Sequence, residues 1–164
     1  MTEQEQEATA KKMMTEPHTT MENQMTMTTE HNGPLVLVVD DFVDNREMYS
    51  EYLQFSGYRV IEATNGREAV DAATAQLPDI IIMDLSLPVM DGWEATRRLK
   101  SNARTASIPV VALTGHALAG HSKGARDAGC DSFLIKPCLP DQLVVEIKRM
   151  LSDGTLTISR TRKG

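Results

Sequence analysis

At 164 residues and a formal net charge of −6, the chain is long enough for one domain with a proper core, and its acidic balance argues against a dedicated nucleic-acid binder. It has two cysteines, no charged-then-apolar signal segment, and no apolar run near the roughly 20 residues of a membrane span, so a soluble, cytoplasmic protein without membrane contact is expected. Cys130 and Cys138 lack Cys-x-x-Cys spacing and a neighbouring histidine, so they read as reduced structural thiols, not a metal pair.

Residues 1–33 are rich in Thr, Glu, Gln and Met and show no helical or alternating apolar period. Such a composition cannot offset chain entropy by burial, and a disordered N-terminal arm is expected. Met21, Met25 and Met27 could be taken for soft-metal ligands, but scattered methionines in a polar tail read more simply as a solvated arm. Together with Met13 and Met14 they also leave the start codon open.

The domain is expected over residues 34–151. Leu35 to Val39 is a β-branched, apolar strand that runs into Asp40 and Asp41. Asp44 is placed to cap the following helix, whose Met48, Tyr52 and Phe55 share one face and which Gly57 ends. A second strand is predicted over Tyr58 to Glu62. Asn65, with Glu68 three residues on, then opens a helix through Ala69, Val70, Ala73 and Leu77, which Pro78 breaks. Ile80 to Met83 is a run apolar on both faces, as in a parallel sheet, and it ends on a single carboxylate, Asp84. An Asp there can simply open a turn, so the other strand ends decide its meaning.

A helix from Gly92 to about Ser101 carries Trp93, which reads as core packing, with Ala95 and Leu99. Pro109 opens a fourth strand, Val110 to Leu113, closing on Thr114 and Gly115. Ala117 to Ala128 contains Gly120 and Gly124 and reads as a weak helix. Ser132 to Ile135 is a short fifth strand meeting Lys136-Pro137, and Pro140 starts a last helix with Leu143, Ile147, Met150 and Leu151 on one face. Residues 152–164 read as a polar, basic tail.

Alternating strands and helices argue for an α/β fold with a parallel sheet covered on both sides and right-handed crossovers. Ligands of such sheets bind beyond the carboxyl ends of the strands. Those ends carry Asp40, Asp41, Asp84, Thr114 and Lys136. If the first and third strands are neighbours, three carboxylates meet, and either a pKa rises or a cation sits among them. All-oxygen ligands suit Mg²⁺. A carboxylate nucleophile beside a lysine and a hydroxyl fits phosphoryl transfer to Asp84, the one acid on the presumed central strand.

The pattern Asp40-Asp41, Asp84 with Pro88 and Asp91-Gly92, Thr114-Gly115 and Lys136-Pro137 resembles the receiver domain of two-component response regulators, over about residues 34–151. The resemblance implies a five-stranded parallel sheet with helices on both faces, in the flavodoxin-like order 2-1-3-4-5. It implies phosphorylation of Asp84 by a histidine kinase or histidine phosphotransfer protein. Mg²⁺, with Mn²⁺ as a substitute, would rest on Asp41, Asp84 and the backbone carbonyl of Ser86, supported by Asp40. Lys136 would pair with a phosphoryl oxygen and precede a cis peptide bond to Pro137. Thr114 and Phe133 would form the switch. Ser86, Gly115 and His116 flank the site: Ser86 is small enough to admit water, Gly115 leaves room for a donor, and His116 shields the phosphoryl group, orients water or faces solvent. Phe133 lacks the hydroxyl of a tyrosine, which narrows the difference between its inward and outward states.

The leading expectation is a stand-alone receiver, not an enzyme in its own right, that is a monomer or weak dimer. Its output runs through a protein target at the face of the fourth helix, fifth strand and fifth helix. The alternatives are a phosphorylation-independent adaptor of the same fold and the receiver portion of a larger hybrid kinase. A haloacid dehalogenase-type phosphatase wants a second Asp two residues after the nucleophile, where Ser86 stands. A Rossmann protein wants Gly-x-Gly-x-x-Gly after the first strand, which is missing.

Overall fold

The computed structural model describes residues 32–115 and 119–161. The expected N-terminal arm up to residue 31 with its methionines, His116, and Arg162 and Lys163 of the basic tail lie outside the described residues.

Among the described residues five strands alternate with five helices. In chain order these are β1 (Leu35–Val39), α1 (Val43–Phe55), β2 (Arg59–Ala63), α2 (Gly66–Gln76), β3 (Ile80–Asp84), α3 (Gly92–Ser101), β4 (Val110–Thr114), α4 (Ala119–Ala128), β5 (Ser132–Ile135) and α5 (Pro140–Thr161). All four ladders are parallel and the order is β2-β1-β3-β4-β5, as the resemblance implied.

The period-2 alternation of strand side chains divides the core in two. Val36, Val38, Ile80, Ile82, Val111 and Leu113 pack on one face against Tyr49 and Leu53 of α1 and Leu143 and Ile147 of α5. Leu37, Val39, Ile81, Met83 and Val110 pack on the other against Ala69 and Ala73 of α2 and Ala95 and Leu99 of α3. Both faces of β1, β3 and β4 are therefore apolar, which is why these strands read as continuous runs in the sequence. No helix among the described residues is long and apolar enough to cross a membrane.

Of the two caps expected from sequence, Asn65 forms and Asp44 does not, and Asp91 supplies a cap that was not expected. Asn65 accepts the Glu68 N–H at 2.9 Å, and Glu68 returns to the N–H and hydroxyl of Thr64, both at 2.8 Å. Asp91 caps α3 by accepting the Glu94 N–H at 2.9 Å. Asp44 does not cap α1. Phe42 holds that position with no side-chain cap, its N–H being taken by Asp40 Oδ1 at 2.9 Å, and Asp44 lies in the first turn.

The face of α1 also differs from expectation. The helix buries Tyr49, Ser50 and Leu53, while Met48, Tyr52 and Phe55 are exposed, Phe55 by 90%. Two apolar stripes share the helical period here, and period alone does not choose between them; the path from Asp40 into Val43 turns the second stripe onto the sheet. β2 begins and ends one residue later than predicted, and α2 closes with Leu77 in the left-handed region (φ 48°) before Pro78. α5 runs on to Thr161, through residues assigned by sequence to a tail, because no proline or paired stop signal follows Leu151.

Candidate functional site

Register brings the strand ends together. Val39 pairs with Met83, so Asp40 continues β1 level with Asp84 of β3. Asp84 pairs with Leu113, and Thr114 pairs with Ile135, so Thr114 and Lys136 stand one step further along β4 and past β5. One carboxylate oxygen from each of Asp40, Asp41 and Asp84 lies within 4.8 Å of the others. Asp40 is 1% and Asp84 4% exposed, whereas Asp41 faces solvent.

Both oxygens of Asp84 are engaged. Lys136 Nζ donates to Oδ2 at 2.8 Å, and the Ser86 N–H donates to Oδ1 at 3.0 Å. Lys136 Nζ is also 3.7 Å from Asp40 Oδ2, an ion-pair distance too long for a hydrogen bond. Asp40 Oδ2 is buried and has no hydrogen-bond partner. Burial pushes the Asp40 carboxyl above the usual range, the Phe42 N–H and Lys136 pull it back, and the charges of Asp84 and Asp41 add to the rise. An orphaned, desolvated carboxylate oxygen on one of three clustered acids is a site that a hard, oxygen-seeking cation satisfies, so the donor set fits Mg²⁺.

Of the remaining residues of the predicted constellation, Thr114, Gly115, Ser86 and Pro137 lie at or just past the same ends of the strands, whereas Phe133 lines a separate surface cavity. Thr114 is buried, and its carbonyl accepts the Lys136 N–H at 2.7 Å, which ties β4 to the lysine. The Lys136-Pro137 peptide bond is cis. Gly115 is exposed, and a Cβ there would meet no atom within 4 Å. Ser86 is exposed, and Phe133 is half-buried in the wall of a surface cavity shared with Ile135, Cys138 and Val145. Cys130 and Cys138 are free thiols.

Three residues that support the site were not singled out in the sequence. Arg46 Nη1 donates to the Asp40 carbonyl at 3.0 Å, and its Nε donates to Glu62 Oε2 at 3.2 Å. Tyr49 donates its hydroxyl to the carbonyl of Cys138 at 2.8 Å, two residues past Lys136. The available signals were Glu62, a charged residue inside β2, and the Tyr49/Leu53 pair four residues apart.

The profile of the response regulator receiver domain family matches residues 36–148. The chain is 36% identical over 119 residues to the polar-differentiation response regulator DivK of Brucella anthropi, covering 73% of this chain and 97% of that protein. Among solved structures it resembles the chemotaxis response regulator CheY4 of Vibrio cholerae, at 32% identity and a TM-score of 0.69, over 72% of this chain and 98% of that one. It also resembles the receiver domain of a sensor histidine kinase from Pseudomonas aeruginosa, solved with a magnesium ion coordinated in its active-site cleft. That match has 34% identity and a TM-score of 0.69, over 73% of this chain and 98% of the other.

Proposed function

The chain belongs to the response regulator receiver domain family, and on that premise we propose that it accepts a phosphoryl group on Asp84 from the phosphohistidine of a histidine kinase or histidine phosphotransfer protein. The observation that carries the reading is the meeting of three carboxylates within 4.8 Å, with the Lys136 ammonium 2.8 Å from Asp84 Oδ2. An Asp84 oxygen attacks phosphorus; the acyl-phosphate P–O bond forms as the P–N bond to the donor imidazole breaks, and the imidazole takes a proton from solvent. Lys136 passes its hydrogen bond from Asp84 to a phosphoryl oxygen. Asp41, Asp84 and the Ser86 carbonyl, with Asp40 in support, hold Mg²⁺ or its substitute Mn²⁺, which when bound neutralises charge on the transferring oxygens.

The acyl phosphate then biases the Thr114 hydroxyl and the Phe133 ring, and the change is read by a protein partner on the α4–β5–α5 face. Support for that face comes from the exposed apolar side chains of Ile135, Leu139 and Val145. The protein acts as an acceptor and relay, with any turnover limited to loss of its own phosphoryl group. A second reading, the receiver portion of a larger hybrid kinase, is favoured by the similarity to receiver domains of histidine kinases.

The test is intact mass after incubation with Mg²⁺ and acetyl phosphate, for wild type beside Asp84→Ala. One phosphoryl adduct on wild type, requiring Mg²⁺ and missing from the variant, is the expected result. Absence of an adduct under conditions where Mg²⁺ binds would leave the adaptor reading in its place.

A further inference from the structure

Asp40 is held at almost every polar atom it has. Its N–H donates to the Ala63 carbonyl at 3.2 Å, its Oδ1 accepts the Phe42 N–H, and its carbonyl accepts from Arg46. Only Oδ2, 3.7 Å from the Lys136 ammonium, is left without a hydrogen bond. The Asp40 carbonyl belongs to the planar peptide unit that also carries the Asp41 nitrogen. Fixing that oxygen therefore fixes the plane from which the Asp41 side chain departs. The arginine doing so is itself fixed: its side chain is only 14% exposed, and Glu62 of β2 holds its Nε. Glu62 in turn accepts from the Ser50 hydroxyl on α1. Glu62 is level with Val38 in the ladder, and Ala63, the anchor of the Asp40 N–H, is its next neighbour. The chain Ser50–Glu62–Arg46 thus braces one peptide bond from α1 and β2 together.

We propose that Arg46 is a positioning residue of the acidic site, anchored by Glu62, and that it sets the separation of Asp40 and Asp41 for cation binding. The inference rests on reading the acidic cluster as an Mg²⁺ and phosphoryl site. Its sign separates it from plain electrostatics. Deleting a positive charge beside a cation site tightens binding if charge alone matters; deleting a brace loosens it, as loss of supporting partners around a metal does elsewhere.

The experiment is calorimetric titration of Mg²⁺ into wild type, Arg46→Met, Arg46→Lys, Glu62→Gln and the Arg46→Met/Glu62→Gln double variant, with thermal unfolding in metal-free buffer alongside. Arg46→Met is expected to raise the Mg²⁺ dissociation constant about tenfold. Glu62→Gln is expected to raise it less, and the double variant no further than Arg46→Met, because the two residues act as one unit. Arg46→Lys keeps the charge but cannot reach both partners with one fork, so it falls between wild type and Arg46→Met. Unchanged or tighter binding in Arg46→Met, with only its melting temperature lowered, would overturn the proposal. If Arg46→Met does not fold, Arg46→Lys, which keeps the charge and loses only the fork, decides: weaker Mg²⁺ binding supports the brace and unchanged affinity overturns it. Wild type that takes up neither Mg²⁺ nor a phosphoryl group would bring down the reading of the site first; wild type that takes up both, beside variants with unaltered affinity, would bring down this inference alone.

Discussion

Gly92 packs directly on the backbone of Asp84. A Cβ at Gly92 would collide with the Asp84 carbonyl oxygen and come within 2.8 Å of the Leu85 Cα, neither of which a rotamer change can move. The first residue of α3 is thus seated against the last residue of β3, and this close approach is what the Asp91-Gly92 pair serves: Asp91 caps the helix and Gly92 lets it reach the sheet. An Ala for Gly exchange in a helix ordinarily stabilises by about 1 kcal/mol. Here the sign reverses, and Gly92→Ala is expected to cost about 1–3 kcal/mol through forced backbone movement. It is also expected to slow phosphoryl uptake, since the displaced atoms belong to Asp84. Gly115→Ala, where the added methyl enters open space, supplies the stability control. Thermal unfolding of both variants checks this; a Gly92→Ala protein as stable as wild type would remove the argument.

Asp40 carries a cost in the metal-free protein that a bound cation would relieve. Its carboxyl is raised above the usual range, chiefly by burial. For an acid raised in the folded state, stability is complete below the unfolded pKa of about 3.9 and is lost as pH rises through the folded value. At neutral pH the ionised group therefore destabilises the metal-free protein. Asp40→Asn keeps an oxygen for the Phe42 N–H and removes the charge, so it is expected to melt higher than wild type in chelator, by roughly 2–4 °C. Added Mg²⁺ is expected to raise the melting temperature of wild type well above that of the variant. Equal gains for both proteins would show that Asp40 takes no part in cation binding.

The extent to which this site could be read from sequence follows from where its residues sit. Asp84, Thr114 and Lys136 each end an apolar strand, so periodicity alone places them at one sheet edge. That β1 and β3 are neighbours is a matter of strand order, which local patterns do not carry, and it came from resemblance. Arg46 and Glu62 were invisible for a related reason: they lie sixteen residues apart on different elements and meet only once α1 has chosen its inward face. The face of α1 was itself misread, because Met48/Tyr52/Phe55 and Tyr49/Leu53 satisfy one period equally well. The strand ends were legible because their chemistry is local. The bracing behind them was not, because it is entirely tertiary.

Tyr49 gives the structure an alkaline weak point. Its hydroxyl is buried against the Cys138 carbonyl, and burial, with the negative charges of Cys138, Asp40 and Asp84, pushes its pKa up to about 12. The unfolded tyrosine ionises near pH 10, so this contribution is intact below about pH 10 and is lost as pH rises toward 12. Tyr49→Phe is expected to cost about 1 kcal/mol at pH 7 through the lost hydrogen bond, which leaves the Cys138 carbonyl unpaired. The gap between the two proteins is then expected to close between pH 10 and 12. Urea unfolding of wild type and variant across that range measures it, and taking the difference removes the titration of Tyr58, which burial also raises. A gap that stays constant with pH would show that the hydroxyl is not buried as described.

Val89 sits at the tip of the loop between β3 and α3 with φ at 67°, and it is 86% exposed. The Met90 N–H donates to the Pro88 carbonyl at 2.7 Å, which closes a three-residue turn around it. A β-branched residue at positive φ in such a turn is strained by about 1–3 kcal/mol. Nothing is recovered by burial, since the side chain points into solvent. Glycine adopts this conformation freely and gives back only about 0.5–1 kcal/mol in unfolded-chain entropy. Val89→Gly is therefore expected to stabilise the fold, by about 1 kcal/mol, read as a melting temperature higher by roughly 4 °C. The turn lies between Asp84 and the Gly92 seat, so relaxing it also tests whether the strain is held in the loop or passed to the site. Phosphoryl uptake at the wild-type rate in a more stable protein would keep it in the loop. A slower rate would mean that the strained turn helps to hold Asp84 in place.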